Sequence, residues 1–232
     1  MSSALCGDIA RLRRQLKGLH KSKLLFLDET SLRVSAAPSS TLVAPGGTNY
    51  IVVKDTSSYA ARYDMIACCS GDTVFPPMIF SPADRKEWGQ DGISAEMLLD
   101  YIERMLARYI SREDLYPITL VVDRARIHNI DKMMQAFHDG GCQELQTIRL
   151  MPPSAAKRMS PLDNALFNEW KEKIKKRGAL SKQDIVSAMD SEWNKLTKES
   201  LREQYRKCGL SSRTNPYFDC PDPFAHRHQG AP

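Results

Sequence analysis

Two short apolar runs, Lys23–Leu27 and Ile118–Val122, each stop at an aspartate, Asp28 and Asp123. Apolar runs of this length suit strands buried inside a sheet. A buried sheet needs helices packed on it, which restricts the chain to a layered α/β arrangement. In open α/β sheets, sites collect at the carboxyl ends of strands. Both aspartates are therefore expected where chemistry is done.

The rest of the chain supplies the other layers. Ile9, Leu12, Leu16 and Leu19 recur at helical spacing over residues 8–20, with Asp8 as an N-cap. Met65–Cys69 and Val74–Phe80 flank Ser70-Gly71-Asp72-Thr73, which reads as a hairpin. Pro76 and Pro77 place its second arm at a sheet edge or bulge. Ser94 caps a helix to about Ile110, with Met97, Leu98, Tyr101, Ile102, Met105 and Tyr109 on its apolar side. A helix over Ile130–His138 closes at Gly140-Gly141, and Leu145–Leu150 forms a further strand that Met151-Pro152-Pro153 stops. Another helix runs from near Pro161 to Lys176. Ser181-Lys182-Gln183-Asp184 opens the next, and Thr197 caps a last one. Residues 31–49, rich in Ser, Ala, Pro, Gly and Thr, read as a long loop of a kind that is often functional. The order predicts a mixed α/β sheet that begins with an antiparallel hairpin and continues through crossovers.

At 232 residues and 42% apolar content, the chain suits one compact domain. No apolar run reaches the roughly 18–20 residues of a membrane helix, and Asp8, Arg11, Arg13 and Arg14 interrupt any signal-like stretch. The six cysteines form no CxxC pair, a usage typical of a reducing compartment. Cys208, Cys220, His226 and His228 match no zinc-finger spacing. The net charge of +5 is mild but unevenly spread. Arg11, Arg13, Arg14, Lys17, Lys21 and Lys23 have no acid among them. Lys171, Lys173, Lys175, Lys176, Arg177 and Lys182 have only Glu172. Such clusters can neutralise phosphates or simply form solvated helix faces.

A third carboxylate, Asp163, opens a helix just after a Pro-rich turn, in Ser160-Pro161-Leu162-Asp163-Asn164. A lone aspartate after a strand is most often a turn or cap residue. Three that can meet in a fold are what a two-metal phosphoryl-transfer site needs. Ions of the magnesium class take oxygen ligands and need only one or two carboxylates each. Glu29, adjacent to Asp28, should point to the opposite face of the strand. Glu169 lies six residues past Asp163, off its helical face.

Leu27-Asp28-Glu29-Thr30, Asp123-Arg124-Ala125-Arg126-Ile127-His128, and Met151-Pro152-Pro153-Ser154 continuing to Ser160-Pro161-Leu162-Asp163-Asn164 together match a family pattern. The chain resembles the catalytic domain of DDE/DDD transposases of the mariner-like superfamily, including their bacterial insertion-sequence relatives. Ninety-four residues separate Asp28 from Asp123, and 39 separate Asp123 from Asp163. The resemblance implies an RNase H-like fold over residues 22–208, preceded by a linker helix over 1–21 and followed by a flexible tail over 209–232. It implies strand cleavage and strand transfer with two Mg²⁺ or Mn²⁺ ions held by Asp28, Asp123 and Asp163. His128, Glu29 and Asn164 would stand beside these ligands. Lys171, Lys173, Lys175, Lys176 and Arg177 would contact the DNA backbone.

Further implications are transposon ends and target DNA as partners, a homodimer, and a clamp-like loop over 31–49. No membrane and no organic cofactor are expected. Localisation follows as the nucleus or, for bacterial relatives, the cytoplasm. The chain departs from the pattern at Arg124 and Ser160, where the family usually has Asn, and its third acid is Asp as in mariner transposases. Full members carry helix-turn-helix domains ahead of the catalytic domain, and about 22 residues precede the first strand here. A fragment or a stripped catalytic domain is expected on that ground. Two other readings stand beside transposition. One is a domesticated, non-cleaving module that binds nucleic acid or a protein. The other, a phospho-receiver, calls for a lysine after a later strand, where Met151-Pro152-Pro153 stands.

Overall fold

The computed structural model describes residues 3–16, 18–33, 61–113, 115, 117–142, 145–177 and 182–210. Five strands form one sheet: β1 (Leu24–Arg33), β2 (Arg62–Cys69), β3 (Met78–Phe80), β4 (Ile118–Val122) and β5 (Leu145–Leu150). Their order is β3-β2-β1-β4-β5. The first three pair antiparallel; β4 joins β1, and β5 joins β4, in parallel. The expected mixed sheet is present, and β3 is its edge strand, as the two prolines required. Pro76 and Pro77 lack amide hydrogens, so the second hairpin arm splits into a bridge at Val74 and the short β3.

Strand β1 does not end at Asp28, as the apolar run suggested. It continues to Arg33 because β2 pairs with it along eight positions, Phe26 to Arg33. Strand β4 reaches only Leu24–Phe26. The run of fully buried residues stops where β1 loses its second neighbour, but the strand does not. Residues 31–33 therefore belong to β1, and the remainder of the expected loop, 34–49, lies outside the described residues. So does the expected tail beyond 210.

Helices cover both faces. On one lie α3 (Ala95–Tyr101), a wider π-helical stretch (Ile102–Leu106) and α4 (Ala107–Arg112), which together make the helix expected from Ser94. Helix α5 (Ile130–Asp139) joins them there, around Leu25, Leu27, Ile66, Leu120 and Val122. Gly140 closes α5 against the carbonyl of Glu103 and the Cβ of Ala107, leaving no room for a side chain. The other face carries α1 (Ser3–Leu16), α7 (Phe167–Lys175), α8 (Lys182–Asn194) and α9 (Lys198–Lys207), packed on Leu24, Phe26, Met65 and Val121. The stretch expected as a linker helix packs into this cluster through Ile9, Leu12 and Leu16. Two short helices, α2 (Pro82–Glu87) and α6 (Ala156–Met159), have no counterpart in the sequence expectations, being too short to display a period.

The apolar cluster is pinned by buried polar tips. Tyr205 Oη donates to the carbonyls of Leu24 and Cys69, at 2.9 and 3.1 Å, and Trp193 Nε1 donates to the Phe75 carbonyl at 2.9 Å. These bonds fix the C-terminal helices on the sheet and hence the wall on which Asp163 stands.

Candidate active site

Asp28 lies mid-strand in β1, buried, opposite the short side chain of Ala67 on β2. The parallel register pairs Phe26 with Val121; continued by two residues, it sets Asp28 level with Asp123, just past the end of β4. Neighbouring strands in register point matched side chains to the same face. Asp28 and Asp123 thus share the face of Phe26 and Val121, which α7–α9 cover.

Asp163 descends onto that face from a helix whose start is built by Ser160. The Ser160 hydroxyl accepts from the Asp163 amide at 3.3 Å, its carbonyl accepts from the Asn164 amide at 2.9 Å, and Pro161 occupies the first helical position. The first turns, Leu162–Leu166, are π-helical, with the Phe167 amide bonding the Leu162 carbonyl. Such widened turns occur often at functional sites. Here one displays Asp163 while Leu162 and Leu166 stay in the core.

The Asp28 carboxyl lies close enough to that of Asp163 for each to influence the other's ionisation. Burial above all, and then the charges of Asp163, Glu29 and Asp123, push the Asp28 carboxyl up to about 9. The Glu29 amide, donating to Asp28 Oδ1 at 2.8 Å, opposes this only in part. Burial also raises Asp163, while the bond from Asp28 and the ammonium groups of Lys157 and Lys171 act the other way. Burial and the neighbouring charges therefore favour the protonated form of Asp28 at neutral pH.

Asp123 is held differently. Its Oδ1 accepts from the Ala125 amide at 2.8 Å and from His128 Nδ1 at 2.7 Å. The bond from His128 keeps this carboxyl below the usual range against the pull of burial. His128 Nε2 reaches Glu29 Oε1 at 3.0 Å. Burial of the imidazole disfavours its charge, but the bonds to Asp123 and Glu29 prevail and raise it to about 10. An imidazolium thus joins the two acids with both nitrogens donating. Glu29 does point away from Asp28, yet it meets the site through His128 around the end of the sheet. No local pattern announces that link, because the partners lie 99 residues apart.

The remaining expected residues divide. Asn164 donates to the Lys157 carbonyl at 2.9 Å, tying its helix to α6 rather than joining the carboxylates. Lys171, two turns beyond Asp163, is depressed by burial and by Lys175 and raised by Asp163. Lys175 pairs with Glu172 at 2.9 Å, and Arg177 pairs with Glu192. Lys173 and Lys176 are exposed. The basic run is thus not one surface: Lys171 and Lys175 share a side of α7, and Lys173, Lys176 and Arg177 lie around the others. Lys157 sits near enough to Asp163 to lower it, a neighbour the motif did not single out. Glu169 is engaged by Gln204 at 2.8 Å and Ser200 at 3.4 Å on α9, away from this group.

Among the described residues, no three His, Cys, Asp or Glu side chains are arranged to hold a metal ion by themselves. The carboxylates approach as a pair, Asp28 with Asp163, and Asp123 is turned toward His128.

No family model and no curated protein matches the sequence. Solved structures do match in fold. A Mos1 transposase paired-end complex with left transposon end superposes with a TM-score of 0.65 at 12% identity, over 88% of this chain and 57% of that one. The Mos1 mariner paired end complex with Mn gives 0.65 at 13% identity, over 90% and 60%. The catalytic domain of Mos1 mariner transposase gives 0.57 at 10%, over 88% and 85%. The chain has an RNase H-like fold, matching that of the Mos1 catalytic domain. It spans 57 to 60% of the length of the two complexes' chains. At these identities the likeness is one of fold. None of the helices among the described residues is long and apolar enough to cross a membrane.

Proposed function

We propose that the chain is a transposase-type catalytic domain that cleaves and joins DNA strands with divalent metal ions. One observation carries the reading: three aspartates, from the middle of β1, the position after β4 and the Leu162–Leu166 turn, come together on one face of the sheet. The donor set suits the metal. Asp28 and Asp163 offer only oxygen donors, and burial first, then the charge of Asp163, favours a proton on Asp28 that a dication would displace. Asp28 and Asp163 would hold one ion, and Asp123 would contribute to the pair. Such ions, when bound, activate the attacking oxygen and neutralise the leaving one.

The chain's own residues supply the rest. Asp28 would release its proton to solvent when a dication is held there. The His128 imidazolium, braced by Glu29, fixes the direction of the Asp123 carboxylate. Lys157 and Lys171 put positive charge beside Asp163, where a phosphodiester would be drawn in. Transposon ends and target DNA as substrates, two Mg²⁺ or Mn²⁺ ions, a homodimer and a DNA-backbone role for the α7 cations belong to the same proposal.

A second reading, a non-cleaving nucleic-acid-binding descendant, draws on one observation: the Asp123 carboxylate is already engaged by His128 and Ala125. Supercoiled plasmid incubated with Mn²⁺ separates the two. Nicking by the wild type that Asp123→Ala and Asp163→Asn both abolish supports the enzyme. Equal behaviour of all three proteins, with no Mn²⁺ binding by calorimetry, refutes it.

A further inference from the structure

We propose that a cleft between α1 and the segments leaving β4 and β5 is a second phosphate site, which seats a DNA phosphodiester beside the one at the aspartates. This rests on the DNA reading above and adds to it a place and two residues. The cleft has a volume of about 370 Å³, and its walls include Asp8, Arg11, Gln15, Arg124, Pro152 and Pro153. Its position follows from chain connectivity. Arg124 is the residue after Asp123, and Pro152-Pro153 begin the segment that leads to Asp163. The Met151 amide bonds the Val122 carbonyl at 2.8 Å, so both segments leave the sheet side by side.

The chemistry is that of an anion seat. Arg124 Nε donates to the Met151 carbonyl at 3.2 Å, which fixes the plane of the guanidinium at the cleft. That bond does not use the two terminal nitrogens, and a guanidinium fork matches a phosphate in two-point geometry. Across the cleft, Asp8, Arg11 and Gln15 follow one another at helical spacing on one face of α1, which Leu12 anchors in the core. Arg11 pairs with Asp8 at 3.3 Å with both side chains largely in solvent, a partnership weak enough for a phosphate to compete with. Two arginines against one aspartate leave a single excess positive charge. That suits a monoanionic diester delivered on a strand rather than a free dianion captured from solution.

The N-terminal basic run is thereby resolved, since its members act separately. Arg13 Nε donates to the Cys208 carbonyl, and Lys21 lies 3.8 Å from Asp72, while Arg11 faces the cleft. The same reading gives Arg124, the departure from the family pattern, a use of its own.

The test is the salt dependence of duplex DNA binding, followed by anisotropy of a labelled oligonucleotide in metal-free buffer with the full 232-residue chain. Each phosphate contact contributes about 0.9 to the slope of log K against log salt. Arg124→Gln and Arg11→Gln should each make the slope shallower by about 0.9. Arg202→Gln, which removes a partner of Asp72 instead, should leave it unchanged. Circular dichroism melts verify that the variants fold. Unchanged slopes in both cleft variants, or an equal loss in Arg202→Gln, would overturn the phosphate site and leave the catalytic reading standing. Failure of the wild type to bind DNA at any salt would remove both.

Discussion

Replacing Asp28 by Asn should make the metal-free protein more stable at alkaline pH, not less. In the unfolded chain this carboxyl ionises near 3.8, and in the folded protein near 9. Between those values the native state holds one proton that the unfolded state has lost, so stability declines as pH rises. One proton corresponds to about 1.4 kcal/mol per pH unit. From pH 5 to pH 8 the wild type should therefore lose about 4 kcal/mol that Asp28→Asn does not lose. His128 adds a decline of its own. Its folded value near 10 lies above the unfolded 6.5, so its stabilisation is full below pH 6.5 and fades as pH climbs through 10. That part is common to both proteins and cancels in the comparison. Urea unfolding in EDTA at each pH unit measures the difference. Added Mn²⁺ should narrow the gap. At a hundredfold excess over Kd it stabilises by about 2.7 kcal/mol. The gain should grow with pH in the wild type, where the proton must leave, and vanish in the variant. Parallel pH profiles in EDTA would refute the proton that burial and its acidic neighbours hold on Asp28.

Two further outcomes test the surrounding structure. His128→Gln should lower Mn²⁺ affinity and plasmid nicking by about 10- to 100-fold, because Asp123 loses the group that aims it, with Glu29→Gln affecting both less; wild-type calorimetry and rates in His128→Gln would show that Asp123 needs no such support. Gly140→Ala should cost about 1–3 kcal/mol, since its methyl would collide with the Glu103 carbonyl and come within 2.6 Å of the Ala107 Cβ; an unchanged thermal midpoint would contradict that packing.

Much of the layering was legible in the order of residues. Buried strands advertise themselves by continuous apolar runs, and Ile118–Val122 and Leu145–Leu150 are bounded as the runs suggest. The caps at Ser94 and Thr197 are local chemistry, each serine or threonine oxygen accepting from an amide three residues on, so short windows suffice to find them. The end of β1 was misjudged for a reason of the same kind. Burial on both faces requires two neighbouring strands, but strand geometry requires only one, and the sequence of β1 reports burial.

The site divides along the same line. The sequence by itself determined that Asp123 follows a buried strand and that Asp163 opens a helix, because apolar runs and turn chemistry are local, and it marked Asp28 at the end of an apolar run though not at the end of its strand. Only the tertiary structure decided what surrounds each carboxylate: that Asp28 is buried beside Asp163, that His128 clasps Asp123 from one side and Glu29 from the other, and that Arg124 faces Arg11 across a cleft. Charge, desolvation and hydrogen-bond geometry act through space over a few ångströms. His128 is only five residues from Asp123, but it lies 99 from Glu29, and nothing in their immediate neighbours records the distance that folding removes.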